Sequence, residues 1–344
     1  LSKDRVFRGR AIVVRDLMKT YVTYLRKGLF GRERKEVVAL RGISFDVLSG
    51  EVFGLLGPNG AGKTTTVKIL STLLLPDKGE ARVLGFDVVK EANKVRKVIG
   101  VSLSVEKGFF WKLTGRENLI YFGMLYGMNG PSLKKRVNEV LNLVGLESLG
   151  VSDKLYEEYS LGMKARLSIA RALLTDPELL ILDEPTLGLD PPSARTLREL
   201  LVRIAHEKGK TVLVTTHNMF EAEIVCDRVA IINEGRIVAV DKVESLKQKV
   251  ADRISLEISA KLPADVSAKF LVSLIREKTG MPSEAFAEDE GFRIKVVTPP
   301  SESRDVTSAV LKLLHENRCS IRRVEVKEPT LEDVFIQLTG RTGF

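Results

Sequence analysis

"GLLGPNGAGKTT", Gly54 to Thr65, decides how the rest of the chain is read. Gly57, four intervening residues, Gly62, Lys63 and Thr64 follow an apolar strand and open a helix, the context a phosphate-binding loop requires. Glycines let backbone N–H groups converge on phosphate oxygens, and the helix start adds the positive end of its dipole. The expected binding set is Gly57, Pro58, Asn59, Gly60, Ala61, Gly62, Lys63, Thr64 and Thr65. In it Lys63 reaches the β- and γ-phosphates and Thr64 ligates Mg²⁺.

Two further strand ends supply chemistry for such a loop. "LLILDEP" closes on Asp183 and Glu184. A carboxylate at the end of a buried strand is costly unless a cation meets it, so Asp183 is read as holding Mg²⁺ directly or through water. Glu184 is then placed to polarise an attacking water as general base. "TVLVTTH" ends on His217, which can hydrogen-bond a γ-phosphate and hold Glu184 and the water in line. Without the loop, both pairs of features would read as ordinary strand ends.

Composition sets the outer bounds. The 344 residues are 44% hydrophobic and 29% charged, enough for two globular domains. No apolar run is long enough to cross a bilayer. The first residues, "LSKDRVFRGRA", lack the apolar stretch of a signal peptide, so the chain is expected to stay on the side where it is made. Cys226 and Cys319 lie far apart and read as reduced, buried thiols. The net charge of +9 favours an anionic partner: nucleotide, lipid surface or nucleic acid.

Along the chain, "AIVVRDLMKTYVTY" reads as a strand followed by a turn, and "VVALRGISFDVLSGEVFGLLG" as two strands turning at Ser49-Gly50. The basic stretch "LRKGLFGRERKE" between them reads as an inserted loop, either a solvated charge run or a contact for an acidic surface. From about residue 100 to 175 the pattern is helical. Thr114 and Glu117 form a capping box, and Ser132 is the expected cap of the next helix, whose Leu133, Val137, Leu141 and Val144 share a face. "ELLILDEP" and "TVLVTTH" fit buried parallel strands, and "RVAIINEGRIVAV" a hairpin turning at Asn233-Glu234-Gly235. Residues 241–252 form a polar helical linker. Beyond it three strands, helices near 264–279 and 303–318, and a last helix capped by Thr330 suggest a small α+β domain over 253–344.

Ser160 is a good N-cap for "LGMKARLSIARALL", and with Gly162 beside it the helix start is a ready anion site. With this segment in place the chain resembles the ATP-binding subunit of an ABC transporter. The phosphate loop, Ser160-Leu161-Gly162-Met163, Asp183-Glu184, "LGLD" ending at Asp190, and His217 stand in that family's order over about residues 10–240. The resemblance implies an α/β P-loop ATPase domain over 1–240, with a core sheet, an antiparallel β subdomain and a helical subdomain. It implies ATP and Mg²⁺ as cofactors, and a head-to-tail dimer with a second copy or a related subunit. Ser160 and Gly162 would then touch the γ-phosphate bound by the partner, with Asp190 at the seam. Tyr21 matches the aromatic residue that stacks on adenine; Tyr24 and Phe30 compete for that role. The ending "EPTLEDVFIQLTGR" is similar to that of subunits in the drug- and antibiotic-exporter branch. A separate integral-membrane permease would be the partner, the subunit lying on the cytoplasmic face of the membrane, with no nucleic acid expected. The rival is a soluble ABC-type ATPase acting on nucleic acid or the ribosome.

One departure and one cluster stand out. The family's glutamine near Mg²⁺ has no counterpart, since the only glutamines are Gln248 and Gln337. The slot falls among Ser104, Val105 and Glu106. Glu106 can bind Mg²⁺ or water through oxygen but cannot donate as an amide does, which predicts altered coupling rather than loss of hydrolysis. Next to it, Phe109-Phe110-Trp111 is expected to keep at least one ring exposed for the permease; the competing reading has all three anchor the helical subdomain.

Overall fold

The structure is a computed structural model and describes residues 9–27, 31–105, 108–250, 254–263, 266–288, 291–327 and 329–339. It divides into two compact units, the break falling between Val243 and Glu244.

The first unit opens with β1 (Arg10–Lys27) and β2 (Gly31–Leu48), which pair antiparallel from Arg10 opposite Leu48 to Lys27 opposite Gly31. The expected turn after β1 is absent. The strand instead carries a bulge where Asp16 takes a left-handed conformation (φ 46) and the register shifts between Val14 and Leu17. The basic stretch expected as a loop is strand backbone over 25–27 and 31–36, an extension of this hairpin. Charged side chains conceal strands in a sequence, because the ladder is made by backbone groups that any residue but proline supplies.

The chain continues through β3 (Val52–Leu56), α1 (Lys63–Leu70), β4 (Lys78–Val83), β5 (Phe86–Asp87), α2 (Ala92–Val98) and β6 (Ile99–Ser102). A helical segment follows, α3 (Gly115–Leu125), α4 (Gly130–Leu143) and α5 (Leu161–Leu173). Thr114 makes both halves of its capping box with Glu117. The cap of α4 is Asn129, not Ser132: Pro131 fits the first turn, and the Ser132 hydroxyl donates back to the Asn129 carbonyl. Then come β7 (Leu179–Asp183), α6 (Pro191–His206), β8 (Thr211–Thr216), α7 (Met219–Val225), β9 (Arg228–Asn233) and β10 (Arg236–Lys242).

Two sheets result. The antiparallel one has the order β2-β1-β4-β5; the other has the order β10-β9-β3-β8-β7-β6 and is parallel except for β10. Every residue of β3 and β8 is buried, as parallel strands covered on both faces require. In such sheets ligands gather beyond the carboxyl ends of the strands. β3, β8 and β7 are neighbours, and they end at the phosphate loop, at His217 and at Asp183.

In the second unit, α8 (Val243–Val250) spans the break, followed by β11 (Ile254–Lys261), α9 (Ala268–Thr279), β12 (Ser283–Glu288), β13 (Gly291–Thr298), α10 (Ser303–Glu316), β14 (Ser320–Lys327) and α11 (Leu331–Thr339). The β-α-β-β-α-β order with a fully antiparallel sheet β12-β13-β11-β14 is the ferredoxin-like arrangement. Leu256, Ile258, Ile294 and Val296 meet Leu271, Ile275, Val310 and Leu314 of the helices in a core of its own.

Candidate functional site

The loop Gly57–Gly62 hangs between β3 and α1 and closes back on the sheet. A Cβ on Gly57 would stand 2.1 Å from the Ile232 carbonyl oxygen, so only glycine fits there. Lys63 is nearly buried, 5% exposed, and its ammonium donates to the Gly57 and Pro58 carbonyls at 2.6 and 3.2 Å. It also pairs with Glu184 at 3.2 Å. On its second oxygen Glu184 meets His217 Nδ1 at 2.9 Å. The base candidate is thus held between an ammonium and an imidazole.

Asp183 is fixed from two sides. Thr64 Oγ1 donates to one carboxylate oxygen at 2.9 Å, and Thr215 Oγ1 to the other at 2.5 Å. A hydroxyl and a carboxylate oxygen are hard donors of the kind Mg²⁺ prefers. Among the described residues no three His, Cys, Asp or Glu gather to hold a metal. Mg²⁺ usually takes one or two carboxylates and completes its shell with water and phosphate oxygens. Ala39, Asn59, Gly60, Lys63, Thr64, Glu184 and His217 line one cleft of about 210 Å³.

Thr215 is a site residue the sequence reading missed. Besides holding Asp183, it accepts the Glu184 N–H on its carbonyl (3.2 Å) and its hydroxyl (3.1 Å). Glu184 is one of the few non-glycine residues with positive φ, at 49°. Threonine in an otherwise apolar strand reads as a strand former; its place next to Thr216 and His217 was the only sign of another role.

Ser160 caps α5 by accepting the Met163 N–H at 3.3 Å, and Asp190 caps α6 by accepting the Ser193 N–H at 3.1 Å. The Ser193 hydrogen bonds hold the Asp190 carboxyl below its ordinary range. These two helix starts touch: a Cβ on Gly162 would lie 2.6 Å from Ser193 Oγ. Both caps are exposed. Glu221, at the start of α7, accepts from Thr186 and pairs with Arg198 of α6 at 3.1 Å, tying the His217 turn to the helix that Asp190 caps.

A family model described as "ABC transporter" matches residues 40–187, from just before the phosphate loop to just past Glu184. The linearmycin resistance ATP-binding protein LnrL of Bacillus subtilis (strain 168) is 37% identical over 303 residues, 88% of this chain and 94% of that protein. The chain belongs to the ABC transporter family. The Nod factor export ATP-binding protein I of Rhizobium sp. (strain N33) is 38% identical over 304 residues, 88% of this chain and 93% of that one. Among solved structures, an ATP-binding cassette captured as a dimer in a post-hydrolysis state with ADP and Pi is 26% identical. It has a TM-score of 0.56 and covers 67% of this chain and 98% of that one. The chain is therefore an ATP-hydrolysing ABC subunit with ATP and Mg²⁺ as cofactors, of a kind that dimerises and works with membrane permeases. No helix among its described residues is long and apolar enough to cross a membrane.

The remaining expected residues of this ABC subunit separate clearly. The Tyr21 hydroxyl lies 3.3 Å from Thr65 Oγ1, beside the phosphate loop. The Tyr24 side chain, Phe30 and Glu106 lie outside the described residues. Ser104, two places before Glu106, lines a second cleft of about 460 Å³ with Thr64, Lys68, Arg171 and Asp183. The aromatic run divides. Phe109 is 7% exposed and stacks on Tyr156, with ring centroids 4.9 Å apart. Phe110 and Trp111 are 45% and 67% exposed.

Proposed function

We propose that this subunit drives export through a separately encoded membrane permease, closing with a second copy or a related ATPase subunit on ATP and reopening on hydrolysis. The observation that carries the chemistry is the Lys63–Glu184–His217 chain at the mouth of the phosphate loop, at 3.2 and 2.9 Å. Phosphate oxygens compete with Glu184 for the Lys63 ammonium, so nucleotide binding frees the carboxylate to act as base. Water then attacks the γ-phosphorus in line, its proton passes to Glu184, and the bond to the β-phosphate oxygen breaks to give ADP and phosphate. His217 keeps Glu184 and the water aligned. Thr64 and Asp183 would hold Mg²⁺, which when bound would supply neutralising charge to the transferring phosphoryl group. Ser160 and Gly162 would complete the partner's site, with Asp190 at the seam and Tyr21 against adenine.

Export is supported by the names of the relatives, an antibiotic-resistance and a Nod factor export protein, and by the resemblance of the ending "EPTLEDVFIQLTGR" to that of exporter subunits. Phe110 and Trp111 are read as part of the permease's landing face on the cytoplasmic side of the membrane. The second unit is read as a regulatory or dimerising module. Phosphate release tests the chemistry: Glu184→Gln should bind MgATP yet lose about 10² to 10⁴ in turnover, the usual worth of a general base. A variant that hydrolyses at the wild-type rate contradicts the assignment. Purification from membranes tests the partner: an integral membrane protein should accompany the subunit, whereas salt-sensitive RNA association would favour a soluble ATPase.

A further inference from the structure

Arg171 lies near the far end of the helix that Ser160 caps, about 16 Å along its axis at 1.5 Å per residue. Its guanidinium is partly buried and stands over two aromatic rings, Phe109 at 4.8 Å and Phe122 at 4.9 Å from their centroids. Those two rings meet edge to face, 5.7 Å apart. Phe109 belongs to the aromatic loop and Phe122 to α3, so one side chain of α5 grips both. Arg171 also lines the cleft shared by Thr64, Ser104 and Asp183.

Among the described residues no carboxylate lies within ion-pairing distance of it. Burial pulls its pKa below the ordinary value, and tyrosines Tyr126 and Tyr156 are the groups that act against this. A buried cation usually has a carboxylate for company. Among the described residues this one has two ring faces, which a planar guanidinium covers more fully than a compact ammonium. The contact therefore depends on geometry: a small shift of α5 changes how the guanidinium lies on Phe109. Phe109 is followed directly by the exposed Phe110 and Trp111.

We propose that Arg171 is a positioning residue that links α5 and the Asp183 cleft to the aromatic loop, so that nucleotide binding is felt at Phe110 and Trp111. The purpose of this link rests on reading the aromatic loop as the permease's landing face, but its measurement does not.

Trp111 is the only tryptophan in the chain and an intrinsic reporter of the loop. MgATP titrated into the purified full-length protein should change Trp111 emission, saturating together with binding of a fluorescent nucleotide analogue. In Arg171→Met the nucleotide should still bind within about threefold, as for a substitution outside the binding groups, while most of the emission change is lost. Arg171→Lys should restore little of it, since charge returns without the broad guanidinium that spans both rings. Should Arg171→Met fail to fold, Phe122→Leu keeps the guanidinium and removes one ring of the grip; its emission change should be clearly reduced. The proposal is overturned if wild type binds MgATP with no change at Trp111, or if folded Arg171→Met or Phe122→Leu responds as wild type does. Loss of nucleotide binding in the wild type would instead count against the ATP site itself.

Discussion

Glu184 holds a left-handed backbone that non-glycine residues adopt at a cost of about 1 kcal/mol or more. What maintains it is Thr215, which accepts the Glu184 N–H and donates to Asp183. Thr215→Val keeps shape and strand propensity and removes only the hydroxyl. We expect it to cost about 1–2 kcal/mol in urea denaturation, because it unpairs one bond at each neighbour. Turnover should fall more than ATP affinity, since the geometry lost is that of the base and the metal ligand. Equal losses in both, or none, would mean that Thr215 is only packing. The contrast between the two carboxylates and Thr215 shows what a sequence makes legible. Asp183 and Glu184 are costly at a strand end and invite an explanation, while threonine inside a strand needs none. The same logic divides the aromatic run: its composition announced something unusual, but only packing against Tyr156 distinguishes Phe109 from its exposed neighbours.

Among the elements, the start of α5 is set by the residue just before its cap. Tyr159, just before its cap, is buried, and its hydroxyl donates to the Val151 carbonyl at 2.8 Å. Burial pushes its pKa up to about 12. An acid whose folded pKa is raised contributes stability that is complete below its unfolded pKa, near 10, and is lost as pH climbs towards the folded value. Between about pH 10 and 12 this one group should remove about 2–3 kcal/mol. Thermal melts across that range should show a steep alkaline limb in wild type and a shallower one in Tyr159→Phe. Equal slopes would mean that Tyr159 ionises as easily in the folded protein as in the unfolded one. Element types were legible wherever side-chain period and caps agreed, as at Thr114 and in the buried strands β7 and β8. Elements escaped where backbone pairing did the ordering. β12, "SEAFAE", has no β-branched residue and pairs only with β13 at the sheet edge. The long hairpin β1–β2 extends through a basic run that reads as a loop.

At the scale of the whole molecule, the two units have separate cores, so each should melt in its own transition. Calorimetry with MgATP at about a hundred times its dissociation constant should stabilise the first unit by about 2.7 kcal/mol and leave the other transition in place. Both transitions rising together would show that nucleotide binding is shared between the units. Under the proposed function, the exposed helix starts at Ser160 and Asp190 close on a nucleotide held by a second copy or a related ATPase subunit. Sedimentation velocity of Glu184→Gln, which should bind ATP without spending it, tests this most directly. The account predicts a monomer without nucleotide and a dimer with MgATP, and a monomer again when Gly162→Val, whose side chain would drive into Ser193, is added. A protein that stays monomeric at saturating MgATP, or dimerises equally well without nucleotide, contradicts it.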